Sequence, residues 1–148
     1  MVAPQWADTA FDGEGARRAG GRWNSKGVRV VYLASSLALA ALELLAHIDY
    51  ERALKEHVAI PIDFDETLLL SVEPATLPEG WGTPAGLAYT QALGNAWLEQ
   101  GASALLAVPS RVVPVERTYL FNPKHPDAET VNIGQPQPFR YDPRPLEK

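Results

Sequence analysis

Between Val28 and Ala34 the chain is β-branched and apolar, with Val28, Val30 and Tyr32 on one face and Arg29, Val31 and Leu33 on the other. That period of two predicts a strand, mostly buried. A serine pair follows, and the hydroxyl of Ser35 or Ser36 can satisfy an orphan N–H of a first helical turn, so a helix is predicted from there. Along it Leu37, Ala41, Leu44, Leu45 and Ile48 form one stripe, while Leu39, Glu43, His47 and Tyr50 lie on another. A helix apolar on most sides is expected to be central rather than superficial. HVAIPID, residues 57–63, predicts a second strand that Pro61 confines to an edge or ends early, and residues 68–72 predict a third. Residues 74–86 are rich in proline and glycine and read as a surface loop. A second helix is predicted over 87–100, with Leu87, Leu93, Ala96 and Trp97 inward and Gly101 as its stop. Ala104 to Val108 predicts a strand ending at Pro109–Ser110, and two short apolar segments, 112–115 and 118–121, close at the Asn122–Pro123 turn. Residues 1–21 read as loop anchored by Trp6 and Phe11. The proline-bearing stretch beyond Lys124 reads as an irregular tail laid over the surface, here taken as 128–148. Short strands around two helices predict an α+β fold, one compact domain over 1–148 with mixed or antiparallel strands around a central helix.

Composition narrows the function classes. With 148 residues and 46% hydrophobic content the chain can bury one core. Its longest apolar run, Val30 to Leu42, is interrupted by Tyr32 and two serines and falls short of the roughly 18–20 residues of a membrane helix, so no membrane span is expected. MVAPQWADTAFDGEG lacks a basic start followed by an apolar core, so no secretory leader is expected. The absence of cysteine removes disulfide and thiol chemistry and fits a cytoplasmic protein. A net charge of -5 argues against direct nucleic-acid binding. Arg17, Arg18, Arg22, Lys26 and Arg29 nevertheless cluster early, a patch suited to a small anionic ligand.

The common nucleotide, hydrolase and zinc motifs are missing, and His47, His57 and His125 are scattered without metal-ligand spacing, so no metal site is expected. What remains is a set of polar residues where strands end or helices are apolar: Arg22, Tyr32, Glu43, Ser110 and Asn122. Each has two readings. Arg22, behind two glycines, is a loop arginine or a planar grip for paired oxygens. Tyr32 is a core aromatic or a ring that contacts a ligand. Glu43 is the only formal charge between Arg29 and Asp49, and a carboxylate among leucines is either ion-paired, with Arg22 or Arg29, or functional. Ser110 is a turn residue or a site group.

GGRWNSKGVRVVYLASSLALAALELLAH and the later AVPSRVVPVERTYLFNPKHPD closely resemble the RES domain family, bacterial toxins whose partner is an antitoxin with an Xre-type helix-turn-helix domain. The resemblance runs over roughly residues 10–127 and includes Trp81 and the Gly94–Trp97–Leu98 stretch. By position the family's arginine, tyrosine, glutamate and serine fall on Arg22, Tyr32, Glu43 and Ser110, and the asparagine of its late Asn-Pro segment on Asn122. The resemblance implies a fold related to ADP-ribosyltransferases, NAD as substrate with no cofactor required, and NAD depletion as the toxic act. It implies that Arg22 holds the diphosphate, Tyr32 meets the nicotinamide ring, Glu43 stabilises charge on the ribose and Ser110 orients the amide or the ribose, with Asn122 in the same nucleotide site. Water, phosphate or a protein side chain remains open as acceptor, as does a catalytically silent NAD- or antitoxin-binding module. A homodimer within a larger toxin–antitoxin complex is a further implication. One departure is that no aromatic–arginine pair, usual in the family, precedes Val2.

Overall fold

The apolar run at 104–108 becomes the middle of the structure. The computed structural model describes residues 1–144. In chain order its elements are α1 (Glu14–Ala19), β1 (Val31–Ala34), α2 (Leu37–Leu45), α3 (Tyr50–Ala53), β2 (His57–Ala59), β3 (Ile62–Asp63), β4 (Leu69–Ser71), α4 (Leu87–Gln100), β5 (Leu105–Pro109), β6 (Arg117–Phe121), β7 (Asn132–Ile133) and β8 (Gln137–Phe139). Four strands make a mixed sheet in the order β1-β6-β5-β4, antiparallel except for the β4–β5 pair. Every residue of β5 is buried, as expected of an uninterrupted apolar strand covered on both faces.

Alternation along the strands divides the core in two. Leu106, Val108 and Leu120 pack on one face with Trp23, Val30, Leu77 and Trp97. Leu105, Phe121 and Val31 pack on the other with Ala104 and Val131. Paired residues in neighbouring strands project to the same side. Tyr32 faces Leu120, and Ala34 and Val108 both face Thr118, so Tyr32 and Thr118 share the first face and are diagonal neighbours on it. α4 covers that face through Trp97, whose indole N–H donates to Ser103 Oγ at 2.9 Å while that hydroxyl donates to Leu105 O at 2.7 Å. Halfway along α4, Gly94 lies against the Trp23 carbonyl, and a β-carbon there would sit 1.8 Å from that oxygen.

Several expectations change. The first strand starts at Val31 rather than Val28, and Val30 and Val31 are both buried, so strict alternation fails where the strand begins. Ser36 is the helix cap, accepting from the Leu39 N–H at 3.1 Å. The helix does not reach Tyr50: Asp49 caps a separate turn, α3, by accepting from the Arg52 N–H at 2.8 Å. Nor is α2 central. Only Leu39 is buried, while Leu37 is 51% and Leu42 46% exposed, because the helix packs beside the edge strand β1 and the sheet's face is already taken by α4. HVAIPID splits into β2 and β3 around Pro61. Residues 112–115 form a turn with Val115 almost wholly exposed.

The tail is not irregular throughout. β7 pairs with β3 and β8 with β2, both antiparallel, and Pro138 is accommodated because its ladder has only two strands and leaves an open edge. Tyr141 then donates to Ala41 O of α2 at 2.5 Å and packs edge-on against His57 and Phe139.

Candidate active site

Glu43, on α2, reaches across to residues of β6 and the end of β5. Ser110, just beyond β5, donates its hydroxyl to Glu43 Oε1 at 2.7 Å, and Thr118 Oγ1 on β6 makes a longer contact of 3.5 Å to the same oxygen. The Ser110 oxygen also accepts from the N–H groups of Val112, at 3.1 Å, and Val113, at 3.0 Å. A serine hydroxyl has one proton and two lone pairs. Both lone pairs are occupied, so the proton is committed to the carboxylate, and Ser110, which has no exposed surface, tethers Glu43 to the end of β5. Among the described residues no cation pairs with Glu43. Arg29, one of the partners expected from the sequence, is taken by Glu14 at 2.8 Å. His57 Nδ1 is the one buried side-chain polar atom without a partner among the described residues, so Glu43 Oε2, which has none, is open to solvent. The site therefore offers one tethered and one free carboxylate oxygen.

Tyr32 stands beside this pair on the same sheet face. Its hydroxyl accepts from the Trp23 N–H at 3.0 Å and donates to Asn24 Oδ1 at 2.7 Å, while the residue as a whole is 36% exposed. Burial pushes the phenol up to about 12, against the opposing pull of the Trp23 N–H and the Arg22 charge, so it is neutral at physiological pH. Asn24 is fully buried and donates to Ala16 O, Ser25 O and Val28 O, which fixes the turn that carries Arg22. Gln91 on α4 fastens the same turn by donating to Gly21 O and Asn24 O. Gly21 is required for this packing: a β-carbon would lie 2.5 Å from Tyr32 Oη. The guanidinium of Arg22 donates through Nη1 to Trp81 O at 3.1 Å and Thr83 O at 2.8 Å. Its proton affinity is lowered by burial and by the charge of Arg111, yet a guanidinium stays charged at any physiological pH. An open hollow of about 370 Å³, lined by Gly80, Trp81, Gly82, Arg111 and Pro114, adjoins it.

The chain that carries this site is similar to known proteins over nearly its whole length. The RES domain matches residues 2–142. A Yersinia enterocolitica protein named Toxin Res is 37% identical over 145 residues, 97% of this chain and 95% of its own length. The chain belongs to the RES domain family. A Sphingobium relative of this RES domain, named Prs ADP-ribosylating toxin, is 39% identical over 141 residues, 93% of this chain and 88% of its own length. The RES domain also shares its fold with a chain of the crystal structure of the M. tuberculosis MbcT-MbcA toxin-antitoxin complex, with a TM-score of 0.67 at 20% identity, over 86% of this chain and 76% of the other. The α+β architecture is thus the RES fold.

Within this RES domain Glu43 and Ser110 meet beyond the Pro109–Arg117 end of β5 and β6, Tyr32 lies diagonal to Thr118 on the same sheet face, and the Arg22 turn is tied to the Tyr32 hydroxyl through Trp23 and Asn24. Asn122 does not join them. It follows the other end of β6, about 13 Å from Thr118 at strand spacing, where its Oδ1 accepts from the Lys124 N–H at 3.0 Å and shapes the Asn-Pro turn. Sequence reasoning passed over Thr118 and Asn24. The first is identifiable only from the register of β6, while GGRWN contained a hint of the second, since a buried asparagine after a glycine turn ordinarily serves the backbone. Tyr32→Phe should keep the ring and leave the Trp23 N–H and Asn24 Oδ1 without this partner. The expected loss is about 1–3 kcal/mol of stability, read as a lower urea midpoint at an unchanged slope.

Proposed function

We propose that this RES-domain toxin consumes NAD by cleaving its nicotinamide–ribosyl bond. The observation that carries the reading is the Glu43 carboxylate, tethered at 2.7 Å by Ser110 with its second oxygen open, on the sheet face where Tyr32 and the Arg22 turn meet. In NAD the ring nitrogen of nicotinamide is cationic. As the C–N bond breaks, its electron pair goes to that nitrogen, nicotinamide leaves neutral, and positive charge develops on the ribose. No strong acid is needed. Glu43 Oε2 would accept a ribose hydroxyl and stabilise that charge, as a fixed carboxylate does for oxocarbenium-like states. Arg22 would hold the diphosphate with the guanidinium edge that the protein leaves free. The exposed ring of Tyr32, fixed by its hydroxyl, would meet the nicotinamide. An oxygen of water or phosphate then bonds to the ribosyl carbon and loses its proton to solvent, giving ADP-ribose or its phosphate ester.

A second reading keeps the first step and changes the acceptor to a protein side chain; the name of the Sphingobium relative favours it. The proposed partner is an antitoxin with an Xre-type helix-turn-helix domain, met in the cytoplasm. The exposed Leu37 and Leu42 of α2 and Tyr50 of α3 offer such a partner an apolar surface.

Purified protein incubated with NAD labelled in its adenine half, with and without phosphate and with and without cell extract, tests both readings. Nicotinamide release with label in small ribosyl products is the expected result. Label retained on a protein band selects the second reading, and no nicotinamide release under any condition rules out both.

A further inference from the structure

We infer that Arg111 is a second anion-holding residue, and that Arg22 and Arg111 together grip the diphosphate of a dinucleotide at the hollow between Arg111 and the loop of residues 80–82. The inference rests on the NAD reading for the identity of the dinucleotide, while the anion site itself rests on the placement of the two arginines. Arg111 follows Ser110, whose N–H donates to Glu116 O at 3.0 Å and whose side chain is fixed by three hydrogen bonds, so the backbone that carries Arg111 is set by the same contacts that set Glu43. Its aliphatic stem lies against Gly82, and it lines the hollow with Gly80, Trp81 and Pro114. Arg22 donates to Trp81 O and Thr83 O, so both arginines are held against the loop of residues 80–83. They are close enough that the charge of Arg111 acts on Arg22.

Their lack of partners is what points to a ligand. Arg17, Arg18 and Arg29 pair with Glu14, Arg52 with Asp49, Arg140 with Glu56 and Arg144 with Asp142. Arg117, the remaining arginine, lies by Val72 O. Arg22 and Arg111 alone stand side by side with no carboxylate on either among the described residues, in a chain whose net charge is -5. Two like charges against one loop repel, and an acidic protein has carboxylates to spare. A doubly charged ligand removes the repulsion and accepts from both forks. The loop's glycines, Gly80 and Gly82, leave the approach to the backbone unobstructed.

Arg111→Gln tests this, because Arg111 is exposed and makes no bond on which the fold depends. Two measurements are made on the full chain: steady-state NAD cleavage, and calorimetric titration with inorganic diphosphate, which needs no turnover. The expected result is a KM for NAD raised about ten- to a hundredfold with kcat nearly unchanged, as for loss of a charged hydrogen bond. Diphosphate affinity should fall by a similar factor, and Arg111→Lys should recover part of it. Diphosphate binding that depends on Arg111 in a protein that never cleaves NAD would support the anion site and remove the NAD reading. An unchanged KM together with diphosphate affinity equal to that of the unaltered protein would overturn the inference while leaving NAD cleavage intact.

Discussion

Glu43→Gln will give a folded protein whose NAD cleavage is reduced about 100- to 1,000-fold, the scale on which removal of a single preorganised electrostatic group acts. The amide keeps the shape of the carboxylate, and its oxygen can still accept from Ser110, so the contact at 2.7 Å survives. What disappears is the negative charge opposite the ribose. The two proposed functions of the side chain would thus separate: the tether to Ser110, which the amide can keep, and the charge, which it cannot. Nicotinamide release measured beside a thermal unfolding curve reads both. Full activity in a stable variant would remove Glu43 from the chemistry; inactivity caused by unfolding would show that the tether needs an anion.

The other large effect concerns the fold. Gly94→Ala ordinarily improves a helix interior by about 0.5–1 kcal/mol. Here the added carbon would lie 1.8 Å from the Trp23 carbonyl oxygen and 2.8 Å from its carbon, both backbone atoms that cannot swing aside. α4 must therefore lift away from the first core face, at an expected cost of about 3 kcal/mol or more. Because Gln91 ties α4 to the turn holding Arg22, any molecules that remain folded should also bind NAD less tightly. Urea unfolding gives the first quantity and KM the second. A variant as stable as the parent would show that the close approach of α4 to Trp23 is not obligatory.

Local signals in the sequence were read well where local chemistry decides the outcome. The Ser36 cap, the stop at Gly101 and the apolar run that became β5 all depend on neighbours within a few residues. The position of α2 does not. Its periodicity reveals apolar faces but not whether another element covers them, and α4 had already occupied the sheet. The tail's strands are hidden for the same reason: β7 and β8 are ordered by partners some seventy or more residues earlier in the chain. At the site, composition reached an isolated glutamate and an unassigned arginine. That Arg29 belongs to Glu14 and that Ser110 belongs to Glu43 are facts of tertiary packing. The family resemblance supplied the grouping of Arg22, Tyr32, Glu43 and Ser110. It also grouped Asn122 with them; that residue follows β6 at the end away from the Ser110–Glu43 contact, and its side chain caps the Asn-Pro turn.

The state of the Ser110 oxygen bears on how such proteins are found. Reagents that discover serine enzymes by covalent capture, such as fluorophosphonates and sulfonyl fluorides, need an unshared electron pair and an open path to it. Ser110 has both pairs engaged by Val112 and Val113 and no exposed surface. A serine held in this way is expected to be inert towards such reagents, so serine profiling is expected to leave this protein unlabelled at Ser110. If the proposed NAD cleavage holds, an inhibitor would be a reversible mimic of the ribosyl cation, with its positive centre set against Glu43 Oε2 and no warhead aimed at the hydroxyl behind it.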